Sequence, residues 1–267
     1  MIGFNHLGKM GQLGNQMFQY AATKAIARKI GTDFMIPDHK EIVVDSLGNK
    51  LRVELFNVFK LDPSNRGYLN ISPDDYIHET IFEFDESFFN LDLKKDASIV
   101  GYFQTEKYFK HIESEIREDF TFQDQYVNEC VDIVEQFDNP IALHIRRGDF
   151  LINSANHANL PIGYYDAALK EFSDDRQVVV FSDDPSWCKE QPLFADDRFL
   201  VSEGNGPYHD LYLMSKCSDF IIANSTFSWW GAWLANTGKV VAPFLWFGPN
   251  NADKSTKDLY LEDWAIL

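Results

Sequence analysis

Basic residues are scarce in this chain. Twenty-four Lys and Arg stand against 41 Asp and Glu, a formal net charge of −17. Such a surface repels polyphosphate backbones and anionic bilayers, which excludes nucleic acid and anionic membrane as general partners. Cysteine is rarer still. Cys130, Cys188 and Cys217 are odd in number and widely spaced, so reduced thiols in a cytoplasm are expected rather than a disulfide framework or a zinc-ligand pair. No apolar run approaches ~20 residues and no signal-peptide pattern opens the chain, so neither a membrane span nor an exported product is expected. No two aspartates are separated by a single residue, which leaves the Asp-x-Asp metal site missing. Near the start the glycines Gly8, Gly11 and Gly14 fall three apart. The fingerprint G-x-G-x-x-G is therefore absent, and no nicotinamide or flavin cofactor is expected.

What remains is an ordinary globular composition: 267 residues, 45% hydrophobic and 24% charged. That is enough for one large domain or two small ones with a substantial core. Residues 1–7 read as a first strand and 15–30 as a helix with Gly31 as its stop. Residues 33–100 parse poorly, with strand-like runs at 42–44 and 77–84. Residues 108–119 and 126–137 suggest amphipathic helices, and Asp138-Asn139-Pro140 a domain junction. Beyond it strands (141–145, 177–181, 198–202, 220–223, 239–242) alternate with helices (160–172, 185–191, 207–217, 226–236). Alternation of this kind predicts an α/β doubly wound parallel sheet with right-handed crossovers. The domains expected are residues 1–138, residues 139–250, and a tail at 251–267.

Three of these strands end in polar chemistry. Ile141-Ala142-Leu143-His144-Ile145 runs into Arg146-Arg147-Gly148-Asp149. Two neighbouring arginines cannot both hide in a sheet whose faces alternate, so they emerge at its carboxyl end, where open α/β sheets bind ligands. Two guanidiniums there suit a diphosphate. A salt-bridged surface turn, with Asp149 neutralising Arg147, is the plain alternative. The second strand ends in Ser182-Asp183-Asp184, with Asp183 placed to accept from ribose hydroxyls or a base. The third ends in Asn224-Ser225-Thr226-Phe227-Ser228, where a helix starting at Thr226 would aim free N–H groups at an anion. Singly, each reads as an N-cap or an ordinary turn; jointly they favour a nucleotide-diphosphate pocket. His144 alternates with the strand interior and reads as a hydrogen-bonded core histidine. Trp229, Trp230 and Trp233 on the next helix read as core.

These motifs resemble those of the bacterial-type α-1,2-fucosyltransferases, glycosyltransferase family 11. Gly11-Gln12-Leu13-Gly14-Asn15-Gln16-Met17-Phe18 is similar to the family's opening, which usually has a second glycine where Gln12 stands. Gly101-Tyr102-Phe103-Gln104-Thr105-Glu106 resembles its mid-chain segment. His144-Ile145-Arg146-Arg147-Gly148-Asp149 resembles the His-x-Arg-Arg-x-Asp motif shared with α-1,6-fucosyltransferases. Tyr164-Tyr165, Phe181-Ser182-Asp183-Asp184, Asn224 to Trp230 and the ending Glu262-Asp263-Trp264 follow in the family's order.

The resemblance implies a GT-B architecture of two facing Rossmann-like domains with parallel sheets. It implies GDP-β-L-fucose as donor, a galactose 2-hydroxyl as acceptor, inversion, and neither metal nor cofactor. In that frame Arg146, Arg147, Asp149 and Asn15 are the candidate catalytic residues. His144, Asp183, Asn224, Ser225, Thr226, Phe227 and Ser228 are expected to bind the donor, and Gly14 and Gln16 to lie in the acceptor loop. Asp149 is the first candidate general base, with His6, His157 and a donor phosphate oxygen as others. A transferase using another nucleotide sugar, or a non-catalytic nucleotide-sugar or glycan-binding protein, are the alternatives.

Overall fold

A computed structural model describes all residues, 1–267. The chain forms two compact units, one of residues 1–123 with 254–261, the other of residues 124–253 with 262–267.

The first unit holds β1 (Ile2–Gly3), β2 (Phe34–Met35), β3 (Val43–Val44), β4 (Lys50–Leu51), β5 (Tyr76–His78) and β6 (Ala97–Val100). Four of them make a parallel sheet in the order β2-β1-β6-β5, while β3 and β4 form a separate antiparallel ribbon. The expected strand at 1–7 is short because the Leu7 N–H turns back onto the Phe4 carbonyl at 3.0 Å. The run at 77–84 stops at His78, one residue before a carboxylate that folds onto the next loop.

Helix Leu13–Ile30 is buried on nearly every face as far as Ala27. Its end is set by Gly31, which takes a left-handed conformation (φ 70°) that a β-carbon would disfavour. Burial of Lys24 is tolerated because its ammonium meets Asp119 at 2.6 Å, an oxygen that also accepts from Tyr20 Oη at 2.9 Å. Asp119 closes helix Glu113–Asp119; the two turns before it, Glu106–Tyr108 and Lys110–Ile112, are 3₁₀.

The second unit holds β7 (Ile141–Ile145), β8 (Val178–Ser182), β9 (Phe199–Val201), β10 (Asp219–Ile221), β11 (Val240–Ala242) and β12 (Ala265–Ile266). All pair in parallel, in the order β12-β11-β10-β7-β8-β9. Numbered from β7, this is the strand order of a dinucleotide-binding fold, and the order reverses between β7 and β10.

Alternation along β7 sorts its side chains. Ile141, Leu143 and Ile145 join a core with Val178, Val180, Ile221 and Val241 and with Tyr164, Tyr165, Ala168 and Leu169 of helix Ile162–Leu169. His144 faces the other way and meets the ring of Phe227, 5.6 Å between centroids. Trp229, Trp230 and Trp233 are fully buried on helix Thr226–Ala235, as their spacing requires.

The chain passes from the first unit to the second between Gln123 and Asp124, earlier than the Asp138–Pro140 junction expected from sequence. Residues 124–129 side with the second unit because Tyr126 packs its ring on Tyr208 and His209 at 5.7 and 5.1 Å. Cys130, Cys188 and Cys217 are free and buried. No helix is long and apolar enough to cross a membrane.

Candidate active site

Because β10, β7 and β8 are parallel neighbours, their carboxyl ends lie along one sheet edge. The three polar tips therefore converge, and they do so at the point where strand order reverses. Arg146 leaves β7 with both terminal nitrogens engaged, Nη2 on Asp149 at 2.6 Å and Nη1 beside Asp183 at 3.1 Å. Arg147 is held differently. Its Nε donates to Asp184 at 3.1 Å and its guanidinium lies 3.8 Å from the centroid of the Trp187 ring. Its two terminal nitrogens make no hydrogen bond within the protein.

Asp183 fastens the turn as well as Arg146, accepting from the Arg147 N–H at 2.9 Å. Gly148 makes that possible: a β-carbon there would stand 2.5 Å from Asp183 Oδ2. Asp149 thus pairs with Arg146, not with Arg147 as the surface-turn reading has it. Asp184 also caps the next helix, accepting from the Trp187 N–H at 3.1 Å. Two guanidiniums face three carboxylates, so the edge is not the bare cationic pocket that the motif suggests. What it presents is direction: donors held in place by neighbouring acids.

His144 is 5% exposed and its Nδ1 has no hydrogen-bond partner. Burial, reinforced by the Arg146 charge, pushes its pKa down to about 3, so the ring is neutral at ordinary pH. It is a core histidine, as expected, but not a hydrogen-bonded one at Nδ1.

Beyond β10 the side chains divide. The Asn224 amide donates to the carbonyls of Ala158 and Trp246 at 2.8 and 2.9 Å, which ties two loops together. Ser225 is the N-cap, its Oγ accepting from the Phe227 N–H at 3.3 Å. The Ser228 hydroxyl turns back to the carbonyls of Ser225 and Ala223 at 3.2 and 3.4 Å. Thr226 and the Phe227 ring are the partly exposed members of the motif.

In the first unit, Gly14 lies inside helix Leu13–Ile30 rather than in a loop. Gln16 is fully buried; it donates to the carbonyls of Gly11 and Arg52 at 3.3 and 2.8 Å and accepts from the Glu54 N–H at 2.9 Å. Its amide shapes the loop from within. Asn15 is more open, its Oδ1 accepting from Gln104 Nε2 at 2.9 Å. The buried Gln104 Oε1 is left without a partner, as is Gln19 Oε1 one helical turn from Asn15. Gln104 and Gly148 were legible only as motif letters; Trp187 carried no sequence signal.

Of the bases considered from sequence, Asp149 is committed to Arg146. His157 stacks flat on Phe150, 4.2 Å between centroids. His6 sits edge-on to Tyr76 at 5.1 Å, and burial followed by Lys9 holds its pKa below the usual value. No three His, Cys, Asp or Glu side chains converge as a metal site.

A family model described as glycosyl transferase family 11 matches residues 1–267. The O-antigen biosynthesis glycosyltransferase WbnK of Escherichia coli is 30% identical, the match covering 94% of this chain and 97% of that one. An α-1,2-colitosyltransferase of the same organism is 32% identical over 89% of this chain and 90% of its own. Galactoside α-(1,2)-fucosyltransferase 1 of Lagothrix lagotricha is 26% identical over 84% of this chain and 63% of that one. Among solved structures, a point mutant of Arabidopsis thaliana FUT1 in complex with GDP superposes with a TM-score of 0.55 at 10% identity, covering 90% of this chain and 69% of that one. NodZ α-1,6-fucosyltransferase soaked with GDP-fucose gives 0.52 at 14% identity, with 90% and 93% covered. The two parallel sheets are those of a GT-B fold. The chain belongs to glycosyltransferase family 11.

Proposed function

We propose that this glycosyltransferase moves L-fucose from GDP-β-L-fucose to the 2-hydroxyl of a galactose in an acceptor glycan, with inversion and without a metal ion. The observation that carries the reading is Arg147, whose face and Nε are held by Trp187 and Asp184 while its terminal nitrogens have no protein partner. A guanidinium so held offers a planar fork to phosphate oxygens with little reorganisation.

The leaving group of the reaction is GDP, and negative charge grows on its β-phosphate as the sugar–oxygen bond breaks. Arg147 meets that charge, with Arg146 fixed behind it by Asp149 and Asp183. The first turn of helix Thr226–Ala235 adds its dipole end. The three carboxylates keep the arginines aimed. Recognition of the diphosphate then rests on directed donors rather than on net charge, as an acidic chain requires.

A second reading is favoured by the colitosyltransferase relative. Colitose is fucose without its 3-hydroxyl, so both sugars present the same phosphate chemistry to Arg147. The test is GDP release from GDP-fucose and GDP-colitose in EDTA, with lactose and N-acetyllactosamine as acceptors. Galactoside-dependent release from GDP-fucose that survives EDTA supports the first reading; release from GDP-colitose alone supports the second. Tight GDP binding without release from either donor would contradict both and indicate a binding protein.

A further inference from the structure

The carboxyl edge of the first unit's sheet carries two polar side chains that the protein itself leaves unused. Glu79 directly follows β5, and its N–H continues the ladder to the Val100 carbonyl at 2.8 Å. Its Oε2 accepts from the Tyr102 N–H at 2.8 Å and its Oε1 from the Phe103 N–H at 3.0 Å. At Gly101 a β-carbon would stand 2.4 Å from Glu79 Cβ and 2.7 Å from Oε2, so the turn closes on the carboxyl group because residue 101 is glycine. Phe103 takes a positive φ of 52° there, and its buried ring packs on Phe4, Phe88 and Tyr108 at 6.3, 5.1 and 5.2 Å. Clamp and ring together fix the backbone from which the Tyr102 side chain leaves.

Tyr102 is the open ring of this segment. It is 38% exposed, whereas Phe103, Tyr108 and Phe109 are fully buried. It pairs with no other ring and its hydroxyl makes no hydrogen bond within the protein; burial first and the Glu79 charge second push its phenol above the usual value. Glu79 is equally uncommitted. It is partly exposed and forms no ion pair, whereas Asp149, Asp183 and Asp184 each lie against an arginine. Each of its oxygens keeps a lone pair beyond the one the backbone uses. Burial pushes its pKa up to about 7, against the pull of the Tyr102 and Phe103 N–H groups and of Lys254, with Asp85 adding to the rise. The protein has not met the acceptor capacity of this carboxyl group.

An aromatic face beside a carboxylate with spare lone pairs suits a neutral pyranose. The ring face receives the C–H side of the sugar, and the carboxylate receives hydroxyls at its rim. Galactose fits this pattern, because its axial 4-hydroxyl leaves the opposite face a continuous patch of C–H groups. An anionic ligand does not, since Glu79 repels it.

We propose that Tyr102 and Glu79 form a galactose-binding subsite, the sugar ring lying on the Tyr102 face with its hydroxyls donating to Glu79. Both residues, and the turn that holds them, belong to the first unit. The choice of galactose as ligand rests on the transferase reading above.

The test measures dissociation constants for lactose and N-acetyllactosamine by ligand-observed NMR, with no donor present, in the wild type and in Tyr102→Ala, Tyr102→Phe and Glu79→Gln. The wild type is expected to bind. Tyr102→Ala should weaken binding roughly tenfold, while Tyr102→Phe, which keeps the ring face, should stay within about twofold. Glu79→Gln should lose roughly tenfold, as removal of a charged hydrogen-bond acceptor does. GDP affinity by calorimetry should be unchanged in all three. Tyr102 lies at the surface, so its variants keep the fold and decide the matter even where Glu79→Gln loosens the turn. A wild type that binds neither disaccharide overturns the proposal; so does wild-type affinity in Tyr102→Ala. If the disaccharides bind as expected but the wild type releases no GDP from either donor, the transferase reading falls and the subsite stands.

Discussion

The two units carry parallel sheets of the same kind, but their carboxyl edges differ in chemistry. On the second unit, two arginines and three aspartates hold one another at the switch between β7 and β10. On the first, the groups after the strands are amides, rings and one unpaired carboxylate: Asn15, Gln104, Tyr102, Glu79. Charge–charge contacts preorganise one edge for an anion. The other carries neutral groups, with two amide oxygens, Gln104 Oε1 and Gln19 Oε1, buried beneath it without a partner. Under the function proposed above, one scaffold serves two ligand chemistries through what stands at its strand ends.

The contrast can be broken most forcefully at Arg147. Arg147→Ala should lower kcat by about 10²–10³-fold, the usual loss when one preorganised donor is removed. Arg147→Lys should recover little of it, since a point charge cannot reproduce the fork or the stacking on Trp187. Steady-state transfer assays decide it, and wild-type turnover in both variants would end the assignment. Next comes Gly148→Ala. The added methyl must displace Asp183, and a misplacement of about 1 Å at a site of this kind costs on the order of 10²-fold; GDP affinity and kcat should fall together.

Gln104→Ala sharpens the contrast from the other side. It should raise KM for lactose roughly tenfold, as loss of a buried hydrogen-bond partner does, and leave GDP affinity unchanged by calorimetry. An equal loss of GDP affinity would show that the edges are not chemically separate. The smallest effect concerns stability. His144 is held neutral in the fold with a pKa near 3, against 6.5 for the free side chain. The unfolded chain therefore binds the extra proton first, and stability drains away as pH falls from about 6.5 toward 3. In urea melts at pH 7 and pH 5, His144→Gln should lose less stability between the two than the wild type.

Much of the second unit was legible from sequence because its strands are short apolar runs between turn signals. Val178–Ser182 and Val240–Ala242 fall within about one residue of expectation. In the first unit, β1 was expected but proved only two residues long, β2 is two residues, too short for any period to register, and β6 went unseen. The edge strand β12 was unseen for the same reason. At the site, the residue types and the converging tips were legible; the partners were not. Sequence spacing says nothing of Arg147 pairing with Asp184 instead of Asp149, nor of Asn224 tying down the loops at Ala158 and Trp246. Glu79 escaped notice altogether, since a lone Glu in a poorly patterned stretch gains its environment only from a loop that follows a different strand.

The most direct test of this division is a backbone amide NMR titration of the wild-type protein, first with GDP and then separately with lactose. The account predicts GDP shifts centred on Arg146–Asp149, Ser182–Asp184 and Thr226–Ser228, and lactose shifts centred on Asn15, Glu79 and Tyr102–Gln104. GDP shifts concentrated on the first unit's edge, or lactose shifts concentrated on the arginines, would contradict it.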